Sequence, residues 1–201
     1  MDEVLKSYSA HARELARAWG RLDAAEVLAP VLDMLPATGR ALDIGAGTGR
    51  DAIFLAASGL TVLAVEPVGA FWPNEMTPGV TWHHARLPAL SGLPVGRFDL
   101  VLVNGVLHHL APADQYAALD RCSTLLVPSG LLVLSLRHGP GAPDRPVYPC
   151  EPAALLNRAK ARGLRVARRA ERQAVQGGNR SAGVTWTWLA LRAGGSTLPH
   201  T

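Results

Sequence analysis

Cysteine is nearly absent: Cys122 and Cys150 are the only two in 201 residues. They lack metal-ligand spacing and read as reduced, structural thiols, so no metal site is expected. Lysine is scarcer than the charge suggests, because 18 of the 20 basic residues are arginine. Long apolar runs are missing as well; none approaches the ~20 residues that cross a bilayer. The first residues, Met1-Asp2-Glu3-Val4, begin acidic and carry no signal-like apolar core, so a cytoplasmic location without membrane partners is expected. No internal repeat is evident. What is present is an ordinary globular balance, 48% hydrophobic against 18% charged, at a length suited to one domain with a substantial core.

Charge is unevenly spread. Residues 1–136 hold 9 basic and 13 acidic side chains, whereas residues 137–201 hold 11 basic and 3 acidic. A basic C-terminal third can meet RNA or an anionic metabolite. Its arginines (Arg158, Arg162, Arg165, Arg168, Arg169 and Arg172) recur without aromatic interleaving, so base stacking is unsupported and a solvated face is the simpler reading.

The densest information lies at residues 41–51, Ala-Leu-Asp-Ile-Gly-Ala-Gly-Thr-Gly-Arg-Asp. A short apolar strand runs into a glycine-rich turn, and an apolar helix follows. Seventeen residues after Gly49, a second apolar strand ends in Glu66. Strand, glycine turn, helix, strand, acid is how an open α/β sheet holds an adenosine-bearing ligand. Glycines let the backbone approach that ligand, and the acid accepts hydrogen bonds from ribose hydroxyls. The dinucleotide fingerprint needs Gly-x-Gly-x-x-Gly; here the pattern is Gly45-x-Gly47-x-Gly49, and Arg50 stands where the last glycine would fall. No pyrophosphate need be cradled if the ligand is S-adenosylmethionine.

With the segments Val65-Glu66-Pro67, residues 98–110 (Phe-Asp-Leu-Val-Leu-Val-Asn-Gly-Val-Leu-His-His-Leu) and residues 125–135, this stretch resembles the class I S-adenosylmethionine-dependent methyltransferases, of the methyltransferase-domain type 11 or 25 kind. The resemblance covers about half the chain. It implies an α/β, Rossmann-like, doubly wound seven-stranded sheet, mostly parallel with the last strand antiparallel, and an N-terminal helical cap. Residues 1–201 are then one methyltransferase domain, with the cap at 1–36 and the core at 40–192.

Hydrophobic periodicity places helix over 3–35, broken near Gly20, then strands at 41–44, 61–65, 80–83, 99–103, 130–136, 164–168 and 184–191. Helices are expected at 50–57, 113–126 and 152–162, and residues 173–183 as a flexible loop or long hairpin connection. The ligand belongs at the carboxyl ends of the strands, beside the topological switch point. The expected cofactor residues are Asp43, Gly45, Ala46, Gly47, Gly49 and Asp51 around the turn, Glu66 and Pro67 at the ribose and adenine, Asn104 at the methionine end, and His84, Arg86 and Leu87 after strand three. The resembled family often has an acid in that last segment, and this chain has none. The expected cofactor is S-adenosylmethionine, giving S-adenosylhomocysteine.

In-line methyl transfer asks the protein mainly to align the reactants and exclude water, and a base is needed only for a protonated acceptor. His108 and His109 are the candidates for that base, since histidine titrates near neutrality. Tyr8, Trp19, His109 and Arg137 are the candidates for acceptor binding. The expected function is methyl transfer to a small molecule, by a monomer or homodimer that does not engage nucleic acid. The rivals are an RNA methyltransferase using the basic C-terminal third and a non-catalytic S-adenosylmethionine-binding module.

Overall fold

A computed structural model describes residues 2–194; residue 1 and residues 195–201 of the expected 1–201 domain lie outside the described residues. Seven strands form one sheet: β1 (Gly39–Ile44), β2 (Leu60–Val65), β3 (Val80–His83), β4 (Phe98–Asn104), β5 (Leu126–His138), β6 (Leu164–Gln173) and β7 (Thr185–Ala193), in the order β3-β2-β1-β4-β5-β7-β6. β1 to β5 pair in parallel, and β7 runs antiparallel to both β5 and β6.

The central strands read as continuous apolar runs because both of their faces are covered. In β4, Val101 and Val103 join one core with Leu119, Cys122 and Leu125 of α5 (Pro112–Leu125) and Leu155 of α6 (Pro152–Ala161). Leu100 and Leu102 point the other way, into a second core with Ala52 and Leu55 of α4 (Arg50–Ala57). The alternation of a single strand therefore specifies the double winding. No described helix is long and apolar enough to cross a membrane.

The N-terminal segment differs from the expected pair of helices. It forms α1 (Asp2–Ala10), α2 (Ala12–Trp19) and α3 (Ala24–Leu28), then a 3-10 turn at Leu32–Met34. The additional break falls at His11, whose ring Nδ1 bonds the Ser7 carbonyl, 3.0 Å away, that already accepts the His11 amide. α3 starts where the Asp23 carboxylate accepts the amides of Ala25 and Glu26. It stops at Leu28 because Pro30 supplies no N–H to continue it.

Two strands outrun their apolar patterns. β5 extends to His138 because Arg137 and His138 pair with Trp186 and Thr185 of β7. β6 extends to Gln173, although its outer half is arginine-rich, because it is a half-exposed edge paired along its length with β7. The expected loop at 173–183 contains a short helix, α7 (Gly177–Ser181). A 3-10 turn, Gly69–Phe71, carries Phe71 into a small separate core with Val68 and Ala12, packed by Leu5, Tyr8, Leu15 and Trp19. That core is what seats α1 and α2 above the carboxyl edge of the sheet.

Candidate active site

The strand order reverses between β1 and β4, so a crevice opens at their carboxyl ends. The turn after β1 forms its floor. Gly45 and Ala46 amides both donate to the Val65 carbonyl at the end of β2, at 2.8 and 3.1 Å, and this locks the turn to the neighbouring strand. Gly45 has φ +72° and Gly47 φ +56°, the left-handed region that glycine alone enters without strain. A Cβ on Gly45 would stand 2.4 Å from Val106 Cγ2, and one on Gly47 3.2 Å from the Trp19 ring. The cradle is therefore closed to any larger residue by backbone geometry and by its neighbours.

Glu66 reaches under this turn from the end of β2. Its Oε2 accepts the Gly47 amide at 2.8 Å and its Oε1 accepts the Val68 amide at 2.8 Å. Burial raises its pKa, while those two donors favour the ionised form. The adjoining wall is made by Pro67, Val68, Phe71, Ala85, Arg86 and Leu87.

At the other side of the turn a chain of hydrogen bonds fixes Asn104. Arg50 grips Asp51 through Nε and Nη2 at 2.8 and 2.9 Å, and Asp51 Oδ2 accepts Asn104 Nδ2 at 2.8 Å. Asn104 Oδ1 accepts the Ser135 hydroxyl at 2.7 Å, and Ser135 accepts the Gly105 amide at 2.8 Å. This relay joins two strands, β4 and β5, to the start of α4. Behind it Asp43 is buried, with Oδ2 lacking a hydrogen-bond partner; burial first and the nearby Asp51 second push its pKa well up.

Above the crevice, Tyr8 donates to His109 Nε2 at 2.7 Å, and His109 Nδ1 lies 3.4 Å from the Pro146 carbonyl. The two contacts fit one tautomer, with the proton on Nδ1. Burial holds His109 down to about 4 and His108 to about 2, and raises Tyr8 to about 12. At neutral pH both imidazoles are thus uncharged and the phenol keeps its proton. Tyr8, Trp19 and Phe71 form an aromatic cluster with centroids 5.0 to 6.2 Å apart, and the Arg145 guanidinium sits 5.3 Å over the Tyr8 ring. Trp186 of β7 meets His108 edge-on at 6.1 Å.

These parts enclose one cavity of about 300 Å³. Of the residues expected from sequence, Gly45, Ala46, Gly47, Asp51, Glu66, Pro67, Arg86, Leu87, Asn104, Tyr8, Trp19, His108, His109 and Arg137 line it. Three do not. His84 points to solvent, displaced by its neighbours Ala85 and Leu87, which take the buried positions after β3. Gly49 caps α4 at φ +83° with Trp82 against its Cβ position, so it shapes the turn rather than the wall. Asp43 lies below the turn. Sequence reasoning missed Gln173, Gln176 and Asn179, which line the cavity from the segment expected to be a flexible connection. It also missed Arg50 and Thr48 as wall residues, although both sit inside the glycine motif.

A family described as methyltransferase domain matches residues 11–199. The chain belongs to that family. No curated protein matches the chain. Among solved structures, this methyltransferase-domain chain resembles the Burkholderia thailandensis 1,6-didemethyltoxoflavin-N1-methyltransferase, solved with 1,6-didemethyltoxoflavin and S-adenosylhomocysteine. The TM-score is 0.76 at 23% identity, over 96% of this chain and 88% of that one. It also resembles the Synechocystis PCC 6803 magnesium protoporphyrin IX methyltransferase with bound SAM, with a TM-score of 0.63 at 18% identity over 92% and 84% of the two chains. A third relative in shape is the 4+2 cyclase SpnF, with a TM-score of 0.72 at 14% identity over 95% of each chain. At such identities the likeness is one of fold, and the fold is the Rossmann-like methyltransferase sheet.

Proposed function

We propose that this protein transfers a methyl group from S-adenosylmethionine to a small-molecule acceptor, as a single domain whose residues 1–36 cap the site. One observation carries the reading: a single cavity is bounded at once by the glycine turn, by Glu66 and by Tyr8, Trp19 and His109. S-adenosylmethionine supplies a methyl group already activated by its sulfonium. The glycine turn suits its methionine portion, because side chains there would fill the cradle. Glu66 has lone pairs left for the ribose hydroxyls, and Val68, Phe71 and Leu87 offer apolar contact to the adenine. Asp51 and Asn104, held rigid by their relay, face the amino group.

On the acceptor side, Tyr8, Trp19 and Trp186 exclude water and orient a substrate. His109 is the better-suited base of the two histidines, since its Nε2 is unprotonated and already takes part in a hydrogen bond with Tyr8. His108 is the more deeply depressed and the weaker proton acceptor. The RNA reading loses support from the ion pairs of the C-terminal third: Arg158 and Arg162 hold Asp120, Arg168 holds Asp33, Arg169 holds Glu171 and Arg172 reaches Glu26. Each of these five arginines already has an acid of the fold as its partner, Arg158 and Arg162 sharing Asp120.

Titration calorimetry with S-adenosylhomocysteine tests the cofactor half, and transfer of labelled methyl into a cell extract tests the rest. Label recovered among small molecules supports the proposal. Label in RNA, or cofactor binding with no transfer to any fraction, would falsify it.

A further inference from the structure

Four arginines line the cavity: Arg50, Arg86, Arg137 and Arg172. Arg50 is held by Asp51, Arg86 by Asp2 and Arg172 by Glu26. Arg137 has no acidic partner among the described residues, and its Nη1 donates to the Gly139 carbonyl at 3.1 Å. The acids of the cavity wall, Asp51 and Glu66, are committed to the cofactor end by their bonds to Asn104 and to the glycine turn. Arg137 thus brings an uncompensated charge to the acceptor end, where both histidines are neutral. Partial burial already costs the guanidinium some of its hydration, lowering its pKa. A planar anion that accepts two of its N–H groups would restore what that burial removes.

The surroundings of Arg137 are flat and aromatic. In the β5–β7 ladder its register partner is Trp186, which packs against His108, and the Tyr8–Trp19–Phe71 cluster borders the same space. Arg145, over the Tyr8 ring, is paired with Asp144 at 3.9 Å and does not line the cavity, so Arg137 alone is left to match a single negative charge. Resting on the methyl-transfer reading above, we infer that the acceptor is an aromatic or heteroaromatic acid, its carboxylate held by Arg137 and its ring packed among Tyr8, His108 and Trp186.

The test uses the full chain saturated with S-adenosylhomocysteine and titrated with benzoate, salicylate and quinaldate, each beside its neutral primary amide. At least one acid is expected to bind about tenfold or more tightly than its amide, the ratio for a charge-assisted hydrogen bond. Arg137→Gln should bring that ratio to about one while leaving the affinity for S-adenosylhomocysteine within about twofold, which shows the variant folded. Acids binding no better than amides, no acid binding at all, or a preference that survives R137Q each overturn the inference and leave the methyl-transfer reading standing. Failure of the wild type to bind S-adenosylhomocysteine overturns that reading instead, and the inference with it.

Discussion

Glu66 illustrates how much one side chain can be asked to do. Its carboxylate ties the glycine turn to the segment that follows β2 through the Gly47 and Val68 amides, each at 2.8 Å. Glu66→Ala removes both acceptors together with the ribose contact proposed for it. Calorimetry should show S-adenosylhomocysteine bound more weakly by roughly 1.5–3 kcal/mol, the range for a lost charged hydrogen bond. Unchanged affinity would remove Glu66 from the site. His109 permits a test by pH. Its pKa falls from an ordinary 6.5 to about 4 on folding, so between those values the unfolded chain binds the extra proton and the fold resists it. The contribution of His109 is therefore intact above about 6.5 and declines as pH drops toward 4. Asp43 and Glu66, whose carboxyls are raised, act in the opposite sense, but they are common to wild type and variant. The difference in Tm between wild type and His109→Gln should accordingly move in favour of the variant as pH is lowered from 6.5 to 4. A difference that stays constant would mean that the ring titrates normally.

At the level of elements, the glycine turn and the strands around it were readable because their form is dictated locally. An apolar strand, three glycines and an apolar helix permit few other conformations, and α4 and β3 fall where the pattern placed them. The pieces that were not readable owe their form to distant partners. β6 starts at Leu164 as expected, but its continuation past residue 168 to Gln173 exists because β7 lies beside it, not because Arg169 and Arg172 favour a strand. Gln173 and Asn179 reach the cavity only through the geometry of that same hairpin. The break at His11 depends on a side chain bonding its own helix, a choice that apolar periodicity does not record. The turn itself offers a sharp test. Gly45→Ala places a methyl at φ +72° and 2.4 Å from Val106. Left-handed strain alone costs about 1–2 kcal/mol, so calorimetry should show a lowered Tm as well as weakened cofactor binding. Val106→Ala in the same chain should recover part of the loss, since it removes the methyl group that clashes.

On the scale of the whole molecule, the two cores flanking the sheet and the small core beneath α1 and α2 meet at the crevice. Trp19 rests on the very turn that β1 supplies, so ligand binding and N-terminal packing are expected to report together. Scanning calorimetry should show a single transition. Saturation with S-adenosylhomocysteine at about 100 times its Kd should add about 2.7 kcal/mol, or roughly 5–10 °C for a chain of this size. Two separate transitions, with only one responding to ligand, would instead make residues 1–36 an independent unit. The first helix is also fastened at three places along its length: Asp2 to Arg86, Ser7 to Asp144 and Tyr8 to His109. On the proposed methyl-transfer reading these three contacts lie over the way out, so a product-release step slower than bond-making is the expectation drawn from them. A rapid first turnover followed by a slower steady rate is then the trace a quenched-flow experiment should record, and a trace without a burst would mean that the contacts do not hold product back.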